Sequence, residues 1–417
     1  MTTLFEPLQV GALSLSNRIV MASLTRNRAP DAIPTPLMAT YYTQRASAGL
    51  LITEATAITH QGQGYADVPG LYGTEQLDGW KRVTQAVHDA GGKIVVQLWH
   101  VGRVSHRELQ PHFGAPVAPS AIRAHTKTVL IKDGAPTFVD TSEPRALDAE
   151  EIPGIVMDYR HAALNAIAAG FDGVEIHAAN GYLIDQFLKT GSNHRKDDHG
   201  GSIANRARFL LEVTRAVTEA VGGDRTGIRL SPVTPANDAH DADPQPLFDH
   251  VVRKLAPLQL AYLHLIEGAT GGPRELPDRP FDYAALKAAY RKAGGRGAWM
   301  VNNGYDLAMA RQALADGADL VAFGRAFIAN PDLVVRLHAG GPFNTPDKTT
   351  FYGGDAKGYT DYPTLAGYSP WGGPAAKPCP HAPPLRGSLP PEGAVSPWGG
   401  PAAKPCPHAP PLDRSRL

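Results

Sequence analysis

Three side chains with complementary hydrogen-bonding and acid–base chemistry stand within six residues of one another: His177, Asn180 and Tyr182. An imidazole and a carboxamide can both donate to a carbonyl or nitro oxygen, and a phenol can give a proton to a neighbouring carbon. Positions 177 and 180 could share one face of a helix, but position 182 could not. The spacing therefore predicts a tight strand-to-helix turn that presents all three groups at one strand end.

The elements that must position this turn follow a regular alternation between residues 19 and 338. Short apolar runs predict strands at Ile19–Ala22, Leu50–Glu54, Lys93–Leu98, Gly173–His177, Thr226–Ser231, Ala261–Ile266, Trp299–Asn302 and Leu320–Gly324. Amphipathic runs predict helices at Pro36–Ser47, Glu75–Ala90, Ala149–Ala169, Ile203–Val221, Pro246–Leu255, Asp282–Ala293, Asp306–Asp316 and Pro331–His338. Eight such repeats predict an α/β fold in which eight parallel strands close into a (β/α)8 TIM barrel.

Two segments add to this barrel. Residues 1–18 precede the first strand, and we expect them to form a small hairpin that caps the bottom. The stretch from Gly102 to Pro144 is too long for a simple βα loop, and Asp133-Gly134 within it is a strong hairpin signal. Because this stretch follows the third strand, we expect a β-hairpin lid over the end of the barrel where TIM-barrel active sites lie.

The C-terminal segment has a different composition. Residues 369–385 read SPWGGPAAKPCPHAPPL, and residues 396–412 repeat them without change. A segment so rich in proline and glycine buries too little apolar area to offset its ordering entropy. We therefore expect a barrel domain over residues 1–366 and a tail over residues 367–417 that is disordered or artefactual.

Cysteine usage and charge exclude several classes of protein. The only two cysteines, Cys379 and Cys406, lie in the tail, so the barrel has no disulfide, cysteine nucleophile or iron–sulfur ligand. Each is followed by Pro-His, so a metal bound by the tail is the alternative to a simple appendage, and no metal is expected in the barrel. The formal net charge is zero, so no excess of positive charge favours binding to nucleic acid or to an anionic membrane. With no recognisable signal peptide and no apolar run of bilayer length, we expect a cytoplasmic enzyme.

Polar side chains at other predicted strand ends suit a flat heterocycle. Gln97 offers an amide, Thr25 a hydroxyl, and Arg229 a positive charge within an apolar strand. A buried arginine needs a partner. Arg229 therefore either forms an ion pair with Glu175 or Glu267 or lies beside a group that becomes anionic on reduction.

The seventh and eighth strand ends read VNNGYD and FGRAFIANPDL. Glycines there let backbone N–H groups approach a phosphate, and Arg325 can bind its oxygens through two hydrogen bonds. TIM barrels frequently hold phosphate at these two ends. A redox heterocycle with a phosphate and such polar edges is FMN.

The chain also resembles the classical Old Yellow Enzyme family, the ene-reductases that include bacterial N-ethylmaleimide reductase and pentaerythritol tetranitrate reductase. The resemblance runs from about residue 4 to residue 365, and its matching stretches include VQLWHVGR, EIHAANGYLIDQFL, GGSIANRARF and FYGGDAKGYTDYP. Several of these stretches are long, and together they are highly specific. The resemblance implies a TIM barrel with FMN bound at its top.

The resemblance also implies a role for particular residues. The positions that would contact the isoalloxazine of FMN are Thr25, Ala55, Gln97 and Arg229. Those that would hold its phosphate end are Asn303, Gly304, Gly324 and Arg325. The substrate's activating oxygen would be bound by His177 and Asn180, with Tyr182 as the proton donor. The substrate pocket would be lined by Tyr65, Trp99 and Tyr352.

Three positions depart from the family pattern. The family commonly has proline where Ser23 stands and tyrosine where His199 stands. We expect these departures to change loop rigidity, and with it flavin affinity and thermal stability, rather than the chemistry. Asn180 stands where close members of the family often have histidine, and both side chains can donate.

The resulting hypothesis is an NAD(P)H-dependent flavin oxidoreductase that reduces the C=C bond of enones, maleimides and nitroalkenes, with nitrate esters and nitro compounds as further candidates. Tyr182, with an ordinary pKa near 10, would protonate the α-carbon. The alternatives are a flavin-binding sensor without turnover and a barrel hydrolase, which would need two facing carboxylates. Expected partners are small activated alkenes, with no nucleic acid and no membrane, for a monomer or homodimer. The sequence does not choose between NADH and NADPH.

Overall fold

The computed structural model describes residues 2–365, which form fourteen strands and eleven α-helices, numbered here in chain order. The strands are β1 (Leu8–Val10), β2 (Leu13–Leu15), β3 (Ile19–Met21), β4 (Leu50–Ala57), β5 (Ile94–Trp99), β6 (Val117–Ala118), β7 (Lys127–Lys132), β8 (Ala135–Asp140), β9 (Arg145–Ala146), β10 (Gly173–Ala178), β11 (Thr226–Leu230), β12 (Tyr262–Ile266), β13 (Ala298–Asn302) and β14 (Leu320–Phe323). The helices are α1 (Pro36–Thr43), α2 (Thr74–Asp89), α3 (Ile152–Ala168), α4 (Leu183–Leu188), α5 (Ile203–Arg206), α6 (Arg208–Val221), α7 (Pro244–Leu255), α8 (Tyr283–Lys292), α9 (Leu307–Ala315), α10 (Arg325–Ala329) and α11 (Leu333–Ala339).

Eight of the strands close into a parallel barrel in the order β3-β4-β5-β10-β11-β12-β13-β14. Almost every residue of these strands is buried, as expected for strands covered by side chains inside the barrel and by helices outside. The register places His177 beside Arg229 and Arg229 beside His264, while Glu175 lies beside Gln97. The predicted (β/α)8 barrel is confirmed, and its closure brings polar residues of four neighbouring strands close together.

The outer helices pack through apolar faces with helical periodicity. In α6 the buried positions include Phe209, Val213 and Val217, which recur every four residues and face the core. Several helices begin at a side-chain cap, as where Asp306 accepts a hydrogen bond from the Met309 amide at the start of α9. These local signals explain why most predicted helix bounds lie close to the observed ones.

Two antiparallel hairpins flank the barrel at opposite ends. In the first, β1 pairs with β2, and Val10 and Leu13 pack with Leu50 and Leu320, the first residues of two barrel strands. In the second, β7 pairs with β8 across Asp133-Gly134, whose φ angles of +53° and +76° suit a two-residue turn. The capping hairpin and the hairpin after the third barrel strand are therefore both confirmed.

Buried arginines hold the segment that follows the barrel against its top. The Arg26 guanidinium donates to the backbone oxygens of Phe351, Thr350 and Gly358, and Arg28 also donates to that of Thr350. These charge-assisted bonds fix residues 350–358 beside the strand ends. The aromatic side chains of this segment reach the site described below.

Some elements differ from the predictions. The predicted helix Ile203–Val221 is two helices, α5 and α6, which meet at Ala207, and the short helix α10 was not predicted. Within residues 2–365, none of the helices has both the length and the apolar character needed to cross a bilayer. The predictions for residues 367–417, including a disordered tail and its Cys and His residues, lie outside the described part of the chain.

Candidate active site

A cavity of about 680 Å³ opens at the carboxyl ends of the barrel strands. This volume lies within the range of small-molecule and cofactor sites. All the residues predicted to act on the cofactor or substrate line it, namely Thr25, Ala55, Tyr65, Gln97, Trp99, His177, Asn180, Tyr182, Arg229, Asn303, Gly304, Gly324, Arg325 and Tyr352. Val129 and Phe138, which are paired across the lid hairpin, line its mouth.

The turn after β10 brings the three reactive groups of the opening motif together. Asn180 and Gly181 have φ angles of +60° and +74°, in the left-handed region that these two residue types tolerate best. A Cβ on Gly181 would lie 2.8 Å from the Ala236 carbonyl oxygen, so glycine is also required by space. Tyr182 then caps α4, and this is the strand-to-helix turn that the spacing predicts.

A buried ion pair anchors the turn from below. Lys189 Nζ lies 2.9 Å from Asp185 Oδ2, and neither side chain is exposed. The same carboxylate oxygen accepts the Gly181 amide at 2.8 Å, while Lys189 also donates to the Ser231 backbone oxygen at 2.9 Å. Ser231 Oγ in turn accepts the Asn180 amide at 2.8 Å. The backbone of Asn180 and Gly181 is thus fixed by β11 and α4 together.

His177 is a neutral imidazole in this environment. Burial lowers its pKa well below the ordinary value, and the positive charge of Arg229 lowers it further. A neutral ring has one N–H donor and one acceptor nitrogen. Its Nδ1 has no hydrogen-bond partner among the described residues. His177 can therefore donate one hydrogen bond to a ligand without carrying a charge.

Tyr182 lies against the same side of the cavity. Its hydroxyl is 3.2 Å from that of Tyr65, and its ring stands edge-on to those of Trp99 and His177. Burial raises the pKa of Tyr182, although the hydrogen bond from Tyr65 acts in the opposite direction. The expectation of an ordinary pKa near 10 was therefore wrong. The raised pKa keeps the phenol protonated, as a proton donor requires.

Gln97 is oriented by a buried carboxylate. Its Nε2 donates to Glu175 Oε1 at 2.7 Å, and Glu175 Oε2 lies 2.8 Å from His264 Nδ1. Burial raises the pKa of Glu175, but its contacts with His264, the nearby charge of Arg229 and the hydrogen bond from Gln97 together hold that pKa below the ordinary value. With its amide nitrogen engaged, Gln97 has a buried Oε1 that no group in the described chain satisfies. Gln97 Oε1 can therefore accept a hydrogen bond from an N–H group of a ligand bound in the cavity.

Arg229 is held by neutral partners. Its Nη1 donates to Ser23 Oγ at 2.6 Å and its Nη2 to Asn302 Oδ1 at 2.9 Å, while the buried Nε finds no partner within residues 2–365. Burial lowers the pKa of Arg229, and the nearby Glu175 carboxylate raises it. The guanidinium charge is therefore left without a direct anionic partner at the cavity wall.

The proposed ion pair of Arg229 with Glu175 or Glu267 is not formed. Glu175 pairs with His264, whereas Glu267 accepts from the Tyr305 hydroxyl at 2.6 Å and lies 3.6 Å from Arg274. With the ion pair excluded, the remaining interpretation is that Arg229 lies beside a bound group that becomes anionic on reduction.

The far end of the cavity is lined by glycine and arginine. Gly304 has a φ of +69°, and open space lies where a side chain would begin. Arg325 follows Gly324 at the start of α10 and donates to the Gly271 backbone oxygen at 3.2 Å. The side-chain amide of Asn303 donates through Nδ2 to the Glu267 and Ala269 backbone oxygens. Because the side chain is engaged in these bonds, only the backbone of Asn303 is available to bind a phosphate.

These features fit a flavin mononucleotide. An unsatisfied acceptor on Gln97 and an unsatisfied donor on Arg229 match the polar edge of an isoalloxazine ring, whose N–H and carbonyl groups need such partners. A glycine-lined end with Arg325 matches a phosphate. The residues present therefore satisfy what a phosphate-bearing heterocycle requires.

Two other kinds of chemistry find no support in the described chain. None of the residues lining the cavity is an aspartate or glutamate, so a hydrolase with two facing carboxylates is disfavoured. Within residues 2–365, no cluster of three or more His, Cys, Asp or Glu side chains is placed to hold a metal ion.

Comparison with known proteins agrees with this geometry. The profile of the NADH:flavin oxidoreductase / NADH oxidase family matches residues 3–344. The chain belongs to this family. It is a member of the Old Yellow Enzymes, as the resemblance implied, and a flavin-dependent oxidoreductase that uses a nicotinamide.

Individual members of the family are similar over almost their whole length. The chain is 45% identical to 12-oxophytodienoate reductase 7 of Oryza sativa subsp. japonica, covering 87% of this chain and 94% of the rice protein. Morphinone reductase, solved in complex with tetrahydroNAD, is 48% identical with a TM-score of 0.82, covering 88% of this chain and 98% of its own. The Old Yellow Enzyme homologue from Zymomonas mobilis is 43% identical with the same TM-score, covering 87% and 100%.

Sequence reasoning missed several residues of this Old Yellow Enzyme site. Asn302 and Thr270 both line the cavity. Asn302 ends a predicted strand and Thr270 lies in a loop, and neither position is part of a sequence motif that would mark it as a site residue. Ser23 was noted as a departure from the family, but its expected effect on loop rigidity alone is incomplete because its hydroxyl bonds directly to Arg229. His199 pairs with Glu212 at 3.0 Å and does not line the cavity.

Proposed function

We propose that this protein is an FMN-dependent ene-reductase that uses NADH or NADPH to reduce activated C=C bonds in enones, maleimides and nitroalkenes. One observation carries the proposal: His177, Asn180 and Tyr182 share a cavity with the unsatisfied polar atoms of Gln97 and Arg229. Two donors and a protonated phenol are what reduction of a polarised alkene needs beside a redox cofactor. Two of the relatives named above, 12-oxophytodienoate reductase 7 and morphinone reductase, are named as reductases of oxo compounds, which supports the same class of substrate.

The cavity wall supplies the binding groups for FMN. Thr25, Ala55, Gln97 and Arg229 would contact the ring system, and Gly304, Gly324, Arg325 and the backbone of Asn303 would hold the phosphate. When bound, FMN supplies the two-electron chemistry that no side chain can provide. The Arg229 charge favours an adjacent group that gains negative charge.

His177 and Asn180 activate the substrate. The neutral imidazole of His177 and the side-chain amide of Asn180 each donate a hydrogen bond to the carbonyl or nitro oxygen of the alkene. As the β-carbon is reduced, negative charge develops on that oxygen, and both hydrogen bonds strengthen. Neither donor must lose a proton in this step, so His177 acts as a hydrogen-bond donor and not as the acid.

Tyr182 completes the reduction. Its hydroxyl proton moves from Oη to the α-carbon of the substrate, and its raised pKa keeps that proton in place until the carbon has gained negative charge. The Tyr65 hydroxyl, 3.2 Å away, remains as a hydrogen-bond donor to the resulting phenolate. The buried ring of Trp99 forms an apolar wall beside Tyr182 and His177.

The test begins with the purified protein. We expect a yellow protein with one FMN per chain, which consumes NADH or NADPH in proportion to added 2-cyclohexenone and forms cyclohexanone. Turnover without the enone measures the background reaction with oxygen. A folded protein that takes up no FMN would overturn the proposal, and one that binds FMN but reduces no enone, maleimide or nitroalkene would favour the sensor without turnover.

A further inference from the structure

The Asn180 side chain has two ends of nearly the same shape and opposite function. Its Nδ2 donates hydrogen bonds and its Oδ1 accepts them, so the end that faces the cavity decides which ligands it can bind. Thr270, in the loop after β12, places its hydroxyl 2.6 Å from Asn180 Oδ1. Both residues line the cavity.

The direction of this hydrogen bond follows from the neighbouring hydroxyl. Thr234 Oγ1 accepts the backbone amides of Thr270 at 3.1 Å and Ala236 at 3.4 Å. With both of its lone pairs engaged, its own hydrogen is available for Thr270 Oγ1, 3.1 Å away. Thr270 accepts there, which leaves its own hydrogen for Asn180 Oδ1. The two hydroxyls thus form a chain that runs in one direction.

The rest of Asn180 is held independently of Thr270. Its backbone N–H donates to Ser231 Oγ, and its backbone oxygen accepts from Asn237 Nδ2 at 2.9 Å. Loss of the Thr270 hydroxyl would therefore leave the backbone of the turn in place. Only the rotation of the terminal carboxamide would be released.

We propose that Thr270 is a positioning residue that fixes the polarity of the Asn180 amide, so that Nδ2 faces the cavity and the site selects ligands that present a hydrogen-bond acceptor. The inference rests on the proposed function, because it assigns a specificity to the same site. Thr234 supports Thr270 from behind. Without Thr270, Asn180 can turn either end toward the ligand.

The test uses two ligands of matched size and opposite polarity. A para-substituted phenol, measured at a pH where it is ionised, only accepts at its oxygen, whereas the corresponding aniline donates. Isothermal titration calorimetry of the FMN-loaded protein gives the dissociation constant of each. We expect Thr270→Val to lower the preference for the phenolate over the aniline about tenfold, the effect of one hydrogen bond.

Thr270→Ser is the matched control, since it keeps the hydroxyl and loses only the methyl group. We expect it to retain the wild-type preference, with FMN content and melting temperature unchanged in both variants. Thr270→Ala takes the place of the valine variant if the latter does not retain FMN. An unchanged preference in the variants without the hydroxyl, or an equal loss in Thr270→Ser, would overturn the inference.

Failure of the proposed function has a different signature. If the wild-type protein prefers the phenolate and Thr270→Val loses that preference while no activated alkene is reduced, the positioning role stands and the ene-reductase proposal falls. If wild type reduces cyclohexenone and Thr270→Val binds both ligands as wild type does, the enzyme stands and the positioning role falls.

Discussion

At the scale of single residues, Tyr182 offers the most direct test of the proton transfer. Tyr182→Phe removes the hydroxyl but keeps the ring that packs against Trp99 and His177. We expect flavin reduction by NADH or NADPH to be unchanged and reoxidation by 2-cyclohexenone to slow by about 10²–10⁴-fold, the usual contribution of a general acid. Stopped-flow absorbance measures the two half-reactions separately, and equal rates in the second would remove Tyr182 from the acid role.

The raised pKa of Tyr182 also determines how the wild-type rate depends on pH. A phenol is active as an acid only while protonated, and burial moves its loss of the proton above the ordinary value of 10.0. The rate of reoxidation by the enone should therefore be level through neutral pH and fall only above about pH 10. A fall centred near pH 7 would point to another group as the acid.

Ser23 is the second residue whose role can be isolated. Ser23→Ala removes the oxygen that accepts from Arg229 Nη1 and leaves a buried donor without its partner. We expect a loss of about 1–3 kcal/mol in the free energy of unfolding and weaker FMN retention. Chemical denaturation and equilibrium dialysis measure the two effects. If the free energy of unfolding and FMN retention both stay at wild-type values, the serine that replaces the family's proline at position 23 does not affect Arg229.

At the scale of elements, the turn between β10 and α4 depends on the buried Asp185–Lys189 pair. Lys189→Met would leave the Asp185 carboxylate buried without its cation, which destabilises proteins by about 3–5 kcal/mol. The control is Lys81→Met, which breaks an exposed pair with Asp78 and should change stability by about 0–1 kcal/mol. Urea denaturation of the two variants compares them, and similar losses would show that the buried pair does not hold the turn.

At the scale of the whole molecule, residues 2–365 contain every barrel strand and the entire cavity. The last described residues are anchored, because the Leu365 amide donates to Asp332 at 2.7 Å and the Pro363 oxygen accepts from Arg336 at 2.8 Å. We expect truncation after Leu365 to leave FMN content and turnover unchanged and to shift the melting temperature by less than about 4 °C. Stoichiometric zinc in the full-length protein alone, or a larger shift, would contradict this.

Much of this molecule was readable from local patterns. The strand predicted at Gly173–His177 is observed as Gly173–Ala178, and the hairpin at Asp133-Gly134 forms as predicted. Apolar periodicity and turn residues act over a few positions, so a sequence contains them directly. The strand predicted at Leu50–Glu54 extends to Ala57, because it continues beyond a register irregularity with β5 that depends on the neighbouring strand.

Partners and protonation were decided by the tertiary structure. Charge alone left either an acidic partner or a bound group open for Arg229, but barrel closure placed Ser23, 206 positions away, at its guanidinium. Thr270 reaches Asn180 across 90 positions in the same way. The pKa of Tyr182 rises because surrounding chain removes it from water, which its neighbours in sequence do not reveal. The sequence alone thus determined most of the elements, the family and the residue types at the strand ends. Only the closed barrel decided their partners and their exposure to water, because hydrogen bonding and desolvation depend on distances between residues that are remote in the chain.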